Sequence, residues 1–168
     1  MTVWATRPLV VGHRGGRGDG WPQENTLAAF ERARQQGAAA IELDVRTCAG
    51  RKPVVFHDPT MSRATDARDE RPLDRVPLEE LQSMGVPTLD EALSWARSSA
   101  MAVNVEMKHD VPDIVKLVRG SVRCVLDAGA DVLVSSFDPR LLAMTALLLA
   151  GKNDELPAPL STAPTTTT

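Results

Sequence analysis

Short β-branched runs alternate with longer stretches of helical period along most of this chain. The first apolar run, Leu9–Val11, ends at Gly12-His13-Arg14-Gly15-Gly16. Leu27, Phe30 and Ala33 then recur at helical spacing, predicting a helix from Thr26 to Gln36 with Gly37 as its stop. Ala40–Val45 and Pro53–His57 read as the second and third strands, Pro53 being tolerated as a first strand residue. The segment Asp58 to Gly85 is polar and turn-rich, with one helical turn near Leu78–Ser83. Thr88-Leu89-Asp90-Glu91 has capping-box spacing and opens a helix to about Ser98. Ala102–Lys108 is a fourth strand, Ile114–Asp127 a helix stopped by Gly129, and Val132–Ser135 a fifth strand. Asp138-Pro139 supplies a cap and a first-turn proline for a last helix to about Leu149.

Alternating strands and helices predict parallel strands joined by right-handed crossovers, in an α/β fold. An open doubly wound sheet and a βα barrel both satisfy that rhythm. The chain's 168 residues suit one domain, residues 1–150. The tail, residues 151–168, carries Pro157, Pro159, Pro164 and four terminal threonines, and reads as disordered.

Alternation also sorts the chemistry. In the second strand Ile41, Leu43 and Val45 share one face, and Glu42 and Asp44 the other. In the fourth, Asn104, Glu106 and Lys108 oppose Val103, Val105 and Met107. Two carboxylates aimed at one sheet face are costly to bury unpaired, and a hard divalent cation removes that cost. Glu42, Asp44 and Glu106 are therefore candidate ligands for Mg²⁺ or Ca²⁺; structural ion pairs with Arg14, Arg46 or Lys108 are the alternative. Inward polar residues of this kind favour the barrel closure. His13 and His57 each close a strand beside these acids and suit acid–base work near neutral pH. Arg14, next to Gly15-Gly16, offers a guanidinium for an anion. His109 pairs with nothing in the pattern.

Composition narrows the classes. Nineteen Lys+Arg against 22 Asp+Glu give a net charge of −3, which argues against a broad nucleic-acid surface. Cys48 and Cys124 make neither a disulfide framework nor a CxxC zinc site. The longest apolar run, Leu141–Ala150, is too short for a bilayer, and residues 1–8 lack a signal-peptide pattern. A soluble, cytoplasmic protein without stable membrane insertion is expected.

Taken together, His13-Arg14-Gly15-Gly16, Pro22-Gln23-Glu24-Asn25-Thr26, Ile41-Glu42-Leu43-Asp44-Val45 and Pro53-Val54-Val55-Phe56-His57-Asp58 resemble the glycerophosphodiester phosphodiesterase family. Ser62-Arg63-Ala64-Thr65-Asp66, Val86-Pro87-Thr88-Leu89-Asp90-Glu91, Asn104-Val105-Glu106-Met107-Lys108 and Ser135-Ser136-Phe137-Asp138 extend the resemblance, collinear over residues 9–145. It implies a TIM-type βα barrel, here about five βα units of the usual eight. It also implies hydrolysis of a small-molecule glycerophosphodiester to glycerol 3-phosphate and an alcohol. By similarity Glu42, Asp44 and Glu106 hold the metal and His13 and His57 are the acid–base pair. Arg14 and Lys108 would bind phosphate, with Glu24 and Asn25 bordering the site. A catalytically impaired remnant acting as a metal-binding or interaction module is the second reading, and a related barrel with other phosphodiester substrates the third. The extra Gln23 departs from the family signature and stands to displace Glu24. An unclosed parallel sheet also predicts self-association through bare edge strands.

Overall fold

The computed structural model describes residues 3–5 and 8–151. Five strands and five α-helices follow in the order β1 (Val11–His13), α1 (Leu27–Gln35), β2 (Ala40–Thr47), β3 (Pro53–Val55), α2 (Leu78–Ser83), α3 (Leu89–Ser98), β4 (Ala102–Met107), α4 (Ile114–Ala128), β5 (Val132–Ser135) and α5 (Pro139–Leu149). The main sheet runs β1-β2-β4-β5, all parallel, as in one arc of a βα barrel. The expected α/β architecture is present, and helix boundaries fall within a residue or two of those read from the sequence.

Two strands differ from expectation. The third is antiparallel to β2, with Val45 opposite Val55 and Thr47 opposite Pro53. The connection explains this: residues 48–52 close a turn with Gly50 at φ +76° and Arg51 at φ +63°, too short for the crossover that parallel pairing needs. The parallel arc therefore has four strands, and β3 is a hairpin arm on the C-terminal half of β2. The first strand begins two residues later than the apolar run suggests, because Val11, Gly12 and His13 pair with Ala40, Ile41 and Glu42. That shift brings His13 into the sheet. The proline- and threonine-rich tail beyond residue 151 lies outside the described residues.

Local chemistry fixes the helix starts. Thr26 Oγ1 accepts from Ala29 N to cap α1, and Thr88 and Glu91 cap α3 reciprocally. Asp113 and Asp138 cap α4 and α5. Ile41, Leu43, Val45, Val103 and Val105 are fully buried against α1, α3, α4 and α5, in a core that includes Phe30, Leu93 and Leu117. A second core, built on Val54, Phe56, Met61, Leu73 and Leu81, holds the long loop after β3. With one sheet face filled by helices, the polar face of β2 and β4 is left for the site.

Candidate active site

Register assembles the site. Glu42 lies opposite His13 on one side and Asn104 on the other, while Asp44 lies opposite Glu106. Cross-strand partners project on the same face, so the alternation read from each strand becomes one cluster. One carboxylate oxygen from each of Glu42, Asp44 and Glu106 lies within 4.8 Å of the others. His13 Nε2 stands 3.8 Å from Glu42 Oε2.

Asp44, almost fully buried, is the most heavily bonded of the three. Lys108 Nζ lies 2.7 Å from its Oδ1, and Arg14 Nε 3.0 Å from its Oδ2. Asn25 Nδ2 donates to Oδ2 at 2.9 Å. Burial pushes this carboxyl up, but the Lys108 and Asn25 hydrogen bonds and the Arg14 charge outweigh it and hold it below the usual range. Lys108 also bonds Glu106. Arg14 and Lys108 thus contact the acids directly, as the ion-pair alternative required, whereas Arg46 does not. It donates to the His57 carbonyl at 2.7 Å and grips Asp110 with Nη2 at 2.8 and 2.9 Å.

Two nearby cations do not balance three carboxylates. Glu42 accepts from Arg14 N at 2.9 Å through Oε2, but its buried Oε1 finds no donor among the described residues. Burial first, then repulsion from Asp44, pushes its carboxyl up to about 7. An orphaned buried oxygen in an all-oxygen cluster is what a hard divalent cation would satisfy, so the residues present fit Mg²⁺ or Ca²⁺.

The loops after β1 and β3 complete the setting. Arg14 and Asn25 both sit at positive φ, +54° and +58°, and Asn25 N donates to the Arg14 carbonyl at 3.0 Å. Glu24 reaches the site despite Gln23: its Oε1 accepts from Arg14 Nη1 at 3.0 Å. The insertion is absorbed in the exposed turn whose Gln23 carbonyl accepts from Thr26 Oγ1 at 2.6 Å. His57 Nδ1 lies 2.6 Å from Asp58 Oδ1. Burial, then the Arg14 charge, holds the exposed His13 imidazole below its usual value. A cleft of about 240 Å³ is lined by Glu24, Asn25, His57, Asp58 and Arg63 among others. Asp58 and Arg63 line this cleft although strand alternation assigns neither a role; they stand in the segments Pro53–Asp58 and Ser62–Asp66 that carry the family resemblance. His109 is exposed and outside the cluster.

Residues 13–162 match the glycerophosphoryl diester phosphodiesterase family. The chain belongs to that family. A glycerophosphodiester phosphodiesterase of Bacillus altitudinis is 31% identical over 150 residues, covering 80% of this chain and 60% of the relative. An Oleispira antarctica phosphodiesterase, solved in complex with the product sn-glycerol-3-phosphate, has a TM-score of 0.71 and 30% identity over 86% of this chain and 63% of its own. The glycerophosphodiester phosphodiesterase of Agrobacterium tumefaciens has a TM-score of 0.66 and 31% identity, covering 86% and 64%. The chain therefore spans about three-fifths of the length of each of these three relatives. Among the described residues, no helix is long and apolar enough to cross a membrane.

Proposed function

We propose that this protein hydrolyses glycerophosphodiesters to glycerol 3-phosphate and an alcohol, with a divalent cation held by Glu42, Asp44 and Glu106. The observation that carries the reading is the convergence of three carboxylates from β2 and β4, within 4.8 Å of one another, beside His13. A bound cation would polarise phosphoryl oxygens and lower the pKa of an attacking hydroxyl. Arg14 and Lys108, already at the cluster, supply positive charge for the phosphate oxygens as the transition state develops.

The reaction runs in two balanced steps. The neighbouring glycerol hydroxyl attacks phosphorus, loses its proton to one histidine, and the alcohol leaves with a proton from the other. Water then opens the cyclic phosphate as the two histidines exchange roles. His13 ends β1 and His57 lies in the loop after β3, so the two imidazoles are held by different elements, which suits one to take a proton while the other gives one.

The test is release of glycerol 3-phosphate from glycerophosphocholine by purified protein with Mg²⁺ or Ca²⁺. Metal-dependent release that falls at least about 10²-fold in His13→Ala and in His57→Ala is expected, the usual size of an acid–base contribution. A folded protein that releases nothing with either metal contradicts the activity. Undiminished release by both variants contradicts the histidine roles.

A further inference from the structure

Arg63 joins two loops that the strands leave separate. Its Nη2 donates to Glu24 Oε1 at 2.6 Å, and its Nε donates to Asp58 Oδ2. Asp58 turns its other oxygen to His57 Nδ1 at 2.6 Å. Glu24 in turn accepts from Arg14, the residue after His13. One guanidinium thus ties the loop after β1, which His13 immediately precedes, to the loop after β3, which carries His57. A planar fork engages two carboxylates in fixed directions at once, which a lysine ammonium does not.

The tie is rooted in the second core. Met61, two residues before Arg63, is fully buried there, and Thr65 Oγ1 donates back to the Met61 carbonyl at 3.0 Å. Burial pushes the Asp58 carboxyl up, but hydrogen bonds from Arg63 and His57 outweigh it and hold it below its usual range. An ionised carboxylate can only accept, so the hydrogen shared with His57 belongs to Nδ1. Nε2 is then the nitrogen left to exchange a proton with substrate. A free imidazole in water prefers the opposite tautomer, so this preference must be imposed.

We propose that Arg63 is a positioning residue: it straps the loop that follows His13 to the loop that carries His57 and, through Asp58, holds His57 as the Nδ1–H tautomer with Nε2 free for proton transfer. This rests on the phosphodiesterase reading of the site, but its first readout does not. The full chain has three histidines, so ¹⁵N NMR of the imidazoles, assigned with His57→Ala, reads the tautomer directly. The wild type is expected to show Nδ1–H at His57, and Asp58→Ala to revert to Nε2–H. Arg63→Met should give a mixture and lower kcat by about 10²-fold, more than it changes KM, the effect of a reacting group displaced by about 1 Å. Arg63→Lys, which keeps the charge without the fork, should not restore kcat, and it serves equally if Arg63→Met fails to fold. Arg71→Met removes an exposed arginine that also bridges two acids, Asp69 and Glu80, and should change neither readout. Nε2–H at His57 in the wild type, an unchanged tautomer in Asp58→Ala, or full kcat in Arg63→Lys would overturn the proposal. A folded wild type with the Nδ1–H tautomer and no glycerol 3-phosphate release would instead fault the phosphodiesterase reading, leaving Asp58's hold on the tautomer standing.

Discussion

At the scale of single residues, Glu42 carries the most informative imbalance. Its carboxyl, pushed up to about 7 by burial and by Asp44, binds a proton in the folded chain at pH values where the unfolded chain has lost it. The folded state then binds more protons, so the stability of the metal-free protein should fall as pH rises from 4.5 towards 7. A cation at Glu42 must displace that proton, so Ca²⁺ or Mg²⁺ affinity should rise with pH through the same window and level off above it. Calorimetric titrations at pH 5.5, 6.5 and 7.5, chosen to bracket that value, check the sign. Affinity independent of pH would contradict it. The carboxylates were legible in the sequence because alternation along one strand reports one face. Their cationic partners were legible as residue types but not as contacts, since Arg46 turns to Asp110 while Arg14 and Lys108 turn to Asp44. Asp58 and Arg63 were missed for a similar reason: a hydrogen-bond chain through two loops leaves no periodic trace.

At the scale of elements, capping chemistry was the most readable signal and β3 the least. Thr88 and Glu91 form their capping box at the predicted place, and Thr88→Ala should cost about 1 kcal/mol in thermal or urea unfolding. Strand β3 has the residues of any strand; its direction follows from the length of the turn before it, a rule about connections rather than side chains. The loop after β1 depends on Gly15, at φ +82°, where an added Cβ would stand 2.7 Å from the Ala29 carbonyl carbon. Both backbone conformation and space exclude a side chain there. Gly15→Ala should therefore destabilise the fold by about 2 kcal/mol or more and disturb the approach of Arg14 to Glu42. A melting temperature equal to wild type would contradict that account of the loop.

At the scale of the whole molecule, β1 and β5 bound the parallel arc with no further strand beside them among the described residues. Val10 and Val11 on one margin and Leu133 and Phe137 on the other are exposed, a pairing surface that soluble proteins normally blunt with charge. Concentration-dependent self-association is expected in sedimentation velocity, reduced in Leu133→Lys; a monomer at all concentrations would contradict it. The βα rhythm made the parallel arc legible, while the sheet order, with β3 set aside from the arc, needed the structure. The central claim, that Glu42, Asp44 and Glu106 hold a cation required for hydrolysis of a glycerophosphodiester, is tested most directly by titrating metal-stripped protein. Glycerol 3-phosphate release should rise saturably with added Ca²⁺ or Mg²⁺ and be abolished in Asp44→Asn. Release that persists undiminished under excess chelator would contradict it.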